Sequence, residues 1–160
     1  MIKKILIIGG TGFIGYHFAK KCITENLEVS SLSRSRPSKE RRLDKVKYIY
    51  ADITNKKRLY SKLSNNYDYI INFGGDVDHH GKNTFKSHHI GCKNLTEYFE
   101  KKNIEKFIQI GSSVEYGKLK SPHSESKLDL NISKMDSIYA KAKLKTSKYL
   151  IDLYKKKKFP

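Results

Sequence analysis

Three observations predict an α/β chain built on a doubly wound parallel sheet. Five short runs are apolar at consecutive positions instead of alternating, as strands buried on both faces are. Stretches with apolar residues at helical spacing separate them. The turn Gly9-Gly10-Thr11-Gly12-Phe13-Ile14-Gly15 follows the first run directly and opens the first helix. At 160 residues the chain has the length of one domain, and no linker or repeat divides residues 1–160. Leu, Ile, Val and Phe supply 41 residues, about a quarter, which is above the roughly 20% floor for a folded chain of high charge.

The elements follow in order. Ile2–Ile8 reads as the first strand, and Ile14, Phe18 and Cys22 mark one face of the first helix. Leu27–Ser33 is the second strand, followed by a polar stretch, Arg34–Asp44. Val46–Tyr50 is the third strand, Asn55–Ser64 a short helix and Tyr67–Phe73 the fourth strand. After a loop containing Gly and His, the stripe Phe85, His88, Cys92, Leu95 and Phe99 predicts one long helix. Ile104–Ile110 is the fifth strand. A polar loop, Gly111–Asp136, leads to a helix carrying Ile138, Ala142, Thr146, Tyr149 and Leu153. Five strands linked by crossover helices on both faces fit a Rossmann-type sheet. A sixth strand is expected where the chain reaches Lys155–Pro160, together with a carboxyl-terminal substrate-binding part that these residues lack.

The charge is +17, from 33 Lys and Arg against 16 Asp and Glu. Successive blocks of forty residues carry +4, +3, +4 and +6, so no basic arm or recognition helix concentrates the excess. Lys outnumbers Arg by 28 to 5, whereas base and phosphate readout leans on Arg forks. A Lys-rich solvated surface is the expected reading, with no specific nucleic-acid partner. The Lys155–Lys158 run suits a helix carboxyl end. Cys22 and Cys92 lack metal or redox spacing and are expected as buried thiols in a cytoplasmic protein. The apolar stretch Ile5–Ile8 is too short for an export signal, and no run is long enough to span a membrane. The pairs His79-His80 and His88-His89 lie near Asp76 and Asp78, but adjacent side chains on a helix do not face each other, so no metal is expected.

A dinucleotide pyrophosphate needs a tight turn, a backbone free of side chains and helix amides aimed at the anion. Gly9, Gly12 and Gly15 offer this at three-residue intervals, in strand–turn–helix context, with Thr11, Phe13 and Ile14 completing the turn. Gly12 would let the backbone approach the pyrophosphate, and Gly15 would let the helix pack on the strand. The end of the second strand distinguishes the cofactors. Ser33 stands where an acid would bind the ribose hydroxyls of NAD, and Arg34 or Arg36 can pair with a 2′-phosphate, so NADP is favoured over NAD. Asp52 and the adjoining Ile53, after the third strand, are candidates for the adenine end, although Asp at that place is also a common helix cap.

Tyr139 and Lys143 lie four residues apart, stacked on one helix face. A neighbouring ammonium favours the phenolate form that a general acid/base needs. Tyr98–Lys102 and Tyr116–Lys120 share the spacing, so position is what singles out Tyr139. It opens the helix after the fifth strand. Gly111-Ser112-Ser113-Val114-Glu115-Tyr116-Gly117 stands at the carboxyl end of that strand, the ligand edge of such a sheet, where a hydroxyl can bond a substrate oxygen beside Tyr139. Turn chemistry alone would also account for both serines.

Taken together, Gly9–Gly15, Asp52, Ile71-Asn72-Phe73-Gly74-Gly75, Ser112–Gly117, Pro122 with Glu125, and Tyr139 with Lys143 resemble the extended short-chain dehydrogenase/reductase superfamily. The likeness is to its NAD(P)-dependent epimerase/dehydratase branch, which acts on nucleotide sugars. The resemblance implies Tyr139 as the catalytic acid/base, Lys143 on the nicotinamide ribose, and Ser112 as the catalytic hydroxyl, five residues before Gly117. Phe73, Gly74 and Gly75 would line the cofactor. It further implies hydride exchange between nicotinamide and a nucleotide-linked sugar, and leaves a homodimer open. Dehydratases of the family follow the catalytic hydroxyl with Asp-Glu, where this chain has Ser113 and Val114, so epimerisation or ketone reduction is expected. The alternative is a non-catalytic dinucleotide-binding module, or a fragment that needs a partner chain.

Overall fold

The computed structural model describes residues 1–64, 66–76, 78, 81–124 and 135–160. His79, His80 and Glu125, named above, lie outside the described residues. The elements are β1 (Lys4–Ile8), α1 (Phe13–Thr24), β2 (Glu28–Ser33), β3 (Val46–Tyr50), α2 (Lys56–Lys62), β4 (Tyr69–Asn72), α3 (Gly91–Phe99), β5 (Lys106–Gln109) and α4 (Ile138–Lys157). The five strands form one sheet in the order β3-β2-β1-β4-β5, with every neighbouring pair parallel.

The apolar runs of the sequence become two-sided strands. On β1, Ile5 and Ile7 pack with Ala19 and Cys22 of α1, Val29 of β2 and Ile71 of β4. Leu6 and Ile8 turn to the opposite face, against Leu59 of α2, Leu95 and Phe99 of α3 and Leu153 of α4. The sheet therefore carries helices on both faces, as the pattern predicts. Both cysteines are buried free thiols. No helix among the described residues is long and apolar enough to cross a membrane.

Two helices begin with a side-chain cap: Asn55 accepts from the Arg58 amide (3.1 Å), and Ser137 accepts from the Ala140 amide (3.0 Å). At its other end α4 places Lys155, Lys156 and Lys157 in the last turn, where cations meet the exposed carbonyls, and Lys157 pairs with Glu100. Past α4 the chain runs beside β5: the Phe107 amide donates to the Pro160 carbonyl (3.0 Å), and the Phe107 and Phe159 rings lie 5.5 Å apart.

The long helix expected over Phe85–Phe99 is not uniform. Lys86–Ile90 forms one turn of π-helix that runs into α3. The wider turn lets two consecutive histidines both go inside, His88 toward Tyr139 and His89 toward Tyr149 and Phe85.

The strand order reverses beside β1, because the chain winds outward through β2 and β3 and then returns to β4 on the other side. The crevice at the carboxyl ends of β1 and β4 is the ligand position of such a sheet. Gly9 starts the turn there with φ +79°, a left-handed conformation open to glycine, and its amide donates to the Leu32 carbonyl (2.8 Å). Gly15 is needed for space. A Cβ there would stand 2.3 Å from the Gly9 oxygen and 2.7 Å from the Gly10 Cα. Gly15 thus packs against the glycine turn itself, a closer neighbour than the strand anticipated from the sequence.

This packing makes two measurements decisive. Gly15→Ala forces backbone apart and should lower unfolding stability by about 2 kcal/mol, measured by urea denaturation. Gly91→Ala, whose Cβ would meet first the Ile53 side chain rather than backbone and which gains helix propensity, should lose clearly less. The second measurement concerns pH. Burial holds His88 below the ordinary histidine value and His89 down to about 4. Below about pH 6.5 the unfolded chain takes up protons that these buried rings refuse. Their contribution to stability is therefore fully present above pH 6.5 and is lost as pH drops toward 4, His89 giving the larger share. Denaturation midpoints that stay flat from pH 7 to pH 4.5 would contradict this.

Candidate functional site

Every candidate residue within the described chain stands at the carboxyl edge of the sheet, or on a helix that starts there. After β1, the Gly9–Gly15 turn leads into α1, whose N-cap is Gly12. No side chain caps α1 and no acidic residue occupies its first turn. Its leading amides are thus left for an anion, and glycine keeps the approach clear. Phe13 and Ile14 are exposed at this start. Phe13 meets the Arg41 guanidinium, which lies 5.8 Å from its ring centre.

At the end of β2, Ser33 is buried and its hydroxyl accepts from the Thr11 amide (3.4 Å), so it braces the glycine turn. Arg34 and Arg36 are exposed beyond it, with the Arg36 guanidinium 5.9 Å from the centre of the Tyr50 ring. Asp52, after β3, accepts from the Thr54 amide (2.8 Å) in a local turn; the helix-cap role the sequence allowed for it falls to Asn55. Ile53 is buried under α3, and its carbonyl accepts from Asn94 Nδ2 (2.8 Å).

After β4, Phe73 packs on Phe18 with ring centres 5.3 Å apart, and Asn72 sets the turn. Asn72 is fully buried; its Oδ1 accepts from the Gly74 amide (2.9 Å) and its Nδ2 donates to Gln109 Oε1 (2.8 Å). At Gly75, φ is +151° and a Cβ would fall 1.9 Å from His88 Cε1, so only a glycine admits the imidazole. His88 Nε2 lies 2.8 Å from the Asp76 carbonyl oxygen. A carbonyl only accepts, which makes Nε2 the protonated nitrogen and Nδ1 a buried lone pair without a partner among the described residues.

β5 leads into a short 3₁₀ turn, Ser113–Tyr116, capped by Ser112. The Ser112 hydroxyl accepts from the Val114 amide at 3.5 Å, so the turn role and the catalytic candidacy fall on one residue. Lys143, near the start of α4, reaches the backbone just before this turn. Lys143 is 6% exposed, donates from Nζ to the Ile110 carbonyl (2.8 Å), and lies 5.7 Å from the Tyr139 ring centre. The His88 ring meets Tyr139 edge-on, centres 5.1 Å apart. Burial pulls the Lys143 ammonium below the ordinary lysine value, and the Glu115 carboxylate opposes the shift. The spacing-equivalent tyrosines serve elsewhere. Tyr98 donates to the Leu63 carbonyl (3.0 Å), and Tyr116 stacks on His123.

Four residues of this site escaped the sequence reading. Glu115 stands three residues after Ser112, a capping-box signature legible in the sequence. Ser147 lies one helical turn beyond Lys143 and donates to Glu115 Oε2 (2.6 Å). His88 looks like an ordinary pattern position until the turns close on it, and Asn72 stands in the Ile71–Gly75 motif without a spacing that tells its role. Among the described residues no group of three or more His, Cys, Asp or Glu is arranged to hold a metal ion.

No curated protein matches the sequence. Solved structures do match in fold. The UDP-glucose 4-epimerase of the hyperthermophilic eubacterium Thermotoga maritima, solved with UDP-glucose, superposes with TM-score 0.84 at 21% identity, over 98% of this chain and 52% of that one. The UDP-glucose 4-epimerase of Thermus thermophilus, solved with NAD, gives 0.79 at 20% identity over 98% and 52%. The dTDP-glucose 4,6-dehydratase of Bacillus anthracis, solved with NAD, gives 0.82 at 20% identity over 99% and 52%. The chain thus spans about half the length of these structures. At sequence level the match is to one family model and runs from the first buried residue of β1 to Pro160: over residues 5–160 the chain belongs to the NAD dependent epimerase/dehydratase family.

Proposed function

We propose that the chain is the cofactor-binding and acid/base half of an epimerase or ketone reductase acting on a nucleotide-linked sugar, with NADP as the favoured dinucleotide. One observation carries the reading: Lys143, with the Tyr139 ring 5.7 Å from its Nζ, reaches the Ile110 carbonyl two residues before Ser112, at the sheet edge where the glycine turn also stands. The dinucleotide fits the residues present, because a Cβ at Gly15 would close the turn and the first amides of α1 are left uncapped. Bound, it supplies hydride transfer at its nicotinamide ring.

The chain's own residues do the rest. Gly9–Gly15 hold the pyrophosphate, and Arg34 and Arg36 take the 2′-phosphate. Asp52 and Ile53 border the adenine; Phe73, Gly74 and Gly75 border the nicotinamide side. Lys143 holds the ribose and favours the deprotonated phenol, Tyr139 moves the proton of the sugar hydroxyl, and Ser112 bonds the same oxygen. Ser113 and Val114 offer no acid or base for elimination, which favours epimerisation or reduction over dehydration. The half-length match to solved structures favours a second reading, in which this half binds the dinucleotide and turns over only with a sugar-binding segment from outside residues 1–160.

Two experiments test the reading. In fluorescence titrations NADPH should bind more tightly than NADH, and the double change Arg34→Ala with Arg36→Ala should weaken NADPH about tenfold while leaving NADH almost unchanged. Equal affinities for both cofactors would remove the 2′-phosphate claim, and no saturable binding of either would remove the cofactor claim. Tyr139→Phe should reduce turnover of a nucleotide sugar by about 10²-fold or more with cofactor affinity nearly intact. Wild-type binding without turnover, restored by a sugar-binding segment added in trans, would select the second reading.

A further inference from the structure

Glu115 is 7% exposed, an unusual place for a carboxylate whose visible task is a turn cap. Its Oε1 accepts from the Ser112 amide (2.8 Å), closing the capping box of the 3₁₀ turn. Its Oε2 accepts from the Ser147 hydroxyl (2.6 Å), 32 residues along the chain. Gly111 leaves room for this, since a Cβ there would stand 2.9 Å from Glu115 Oε1. Ser147 belongs to a stripe. Tyr139, Lys143 and Ser147 succeed one another at four-residue steps and so share one face of α4. A single carboxylate therefore joins the backbone of Ser112 to the helix stripe that carries Tyr139 and Lys143.

We propose that Glu115 is a positioning residue of the site, which fixes the Ser112 turn against α4 and acts as the counter-charge of Lys143. The inference rests on the reading of Ser112, Tyr139 and Lys143 as the reacting groups. A glutamine would satisfy the cap equally well, so the cap alone does not call for an acid. The charge has its use at Lys143, whose buried ammonium is bonded, among the described residues, to the neutral Ile110 carbonyl. Of the other titratable groups around Lys143, Cys92 is pushed up to about 12 by burial and stays a thiol, and His88 carries no negative charge in either of its forms. The Tyr139 hydroxyl is assigned to the moving proton, so Glu115 is the carboxylate that balances the ammonium. Glu115 raises the Lys143 affinity for its proton against the burial that lowers it.

The test reads Lys143 directly. Lysine Cε and Nζ shifts are followed by NMR against pH in the whole chain, with Lys143 assigned from its loss in Lys143→Met. Glu115→Gln keeps the shape, with Oε1 accepting from the Ser112 amide and Nε2 donating to a Ser147 hydroxyl turned to accept, and should lower the Lys143 midpoint by about one unit or more. Ser147→Ala keeps the charge and should move it by much less. A folded Glu115→Gln with an unchanged Lys143 midpoint would overturn the proposal. Should that variant not fold, the wild-type chain decides: Lys143 charged at pH 7 supports the proposal, and Lys143 neutral at pH 7 overturns it. No cofactor or turnover enters the measurement, so failure to bind NADPH would sink the functional reading and leave this result standing.

Discussion

Parallel pairing is the constraint on which the site depends. A parallel neighbour can be reached only by crossing back over the sheet, so every strand leaves the sheet at the same edge. Five parallel strands thus bring five loops to one rim, drawn from positions as distant as Gly9 and Ser112. The reversal of strand order between β1 and β4 opens the crevice in the middle of that rim. No long-range side-chain contact is needed to gather these residues. Strand direction does it, and side chains only refine the result.

That division explains what could be read from the sequence. Strands buried on both faces have a signature in consecutive apolar residues, and Ile5–Ile8 split between the two cores as such a run requires. The glycine turn was legible because its steric demand is local: Gly15 is crowded by Gly9 and Gly10, six and five positions earlier. His88 was not legible. It falls on the apolar stripe of a regular helix, and only a π turn together with a glycine at position 75 brings its ring against Tyr139. Glu115 was half legible. Its spacing from Ser112 announces a cap, but its second oxygen answers to Ser147, a partner that no local pattern contains.

The stripe on α4 shows how one helix serves core and site together. Leu153 closes the core shared by α2 and α3, while Lys143 and Ser147 bond to residues just after β5 and Tyr139 meets His88. Burying a lysine on such a helix is unfavourable unless its hydrogen bonds and charge are met. The carbonyl of Ile110 meets one bond, and the Glu115 carboxylate opposes the desolvation. Both come from the same few residues after β5. The strand end that presents Ser112 therefore also settles where the Lys143 side chain lies.

The charge of the chain bears on the same point. With 33 basic residues against 16 acidic ones, a buried acid that tempers Lys143 is not a product of surplus. Several acids pair across the surface, as Glu105 does with Lys3 and Glu97 with Lys56, where solvent screens them and each pair adds little. Inside, screening is weak, and a charge acts on the few groups it touches. The surface excess of +17 is thus a solvation property spread along the chain. One carboxylate at position 115, shielded from that surface by burial, raises the proton affinity of Lys143 against the desolvation that lowers it.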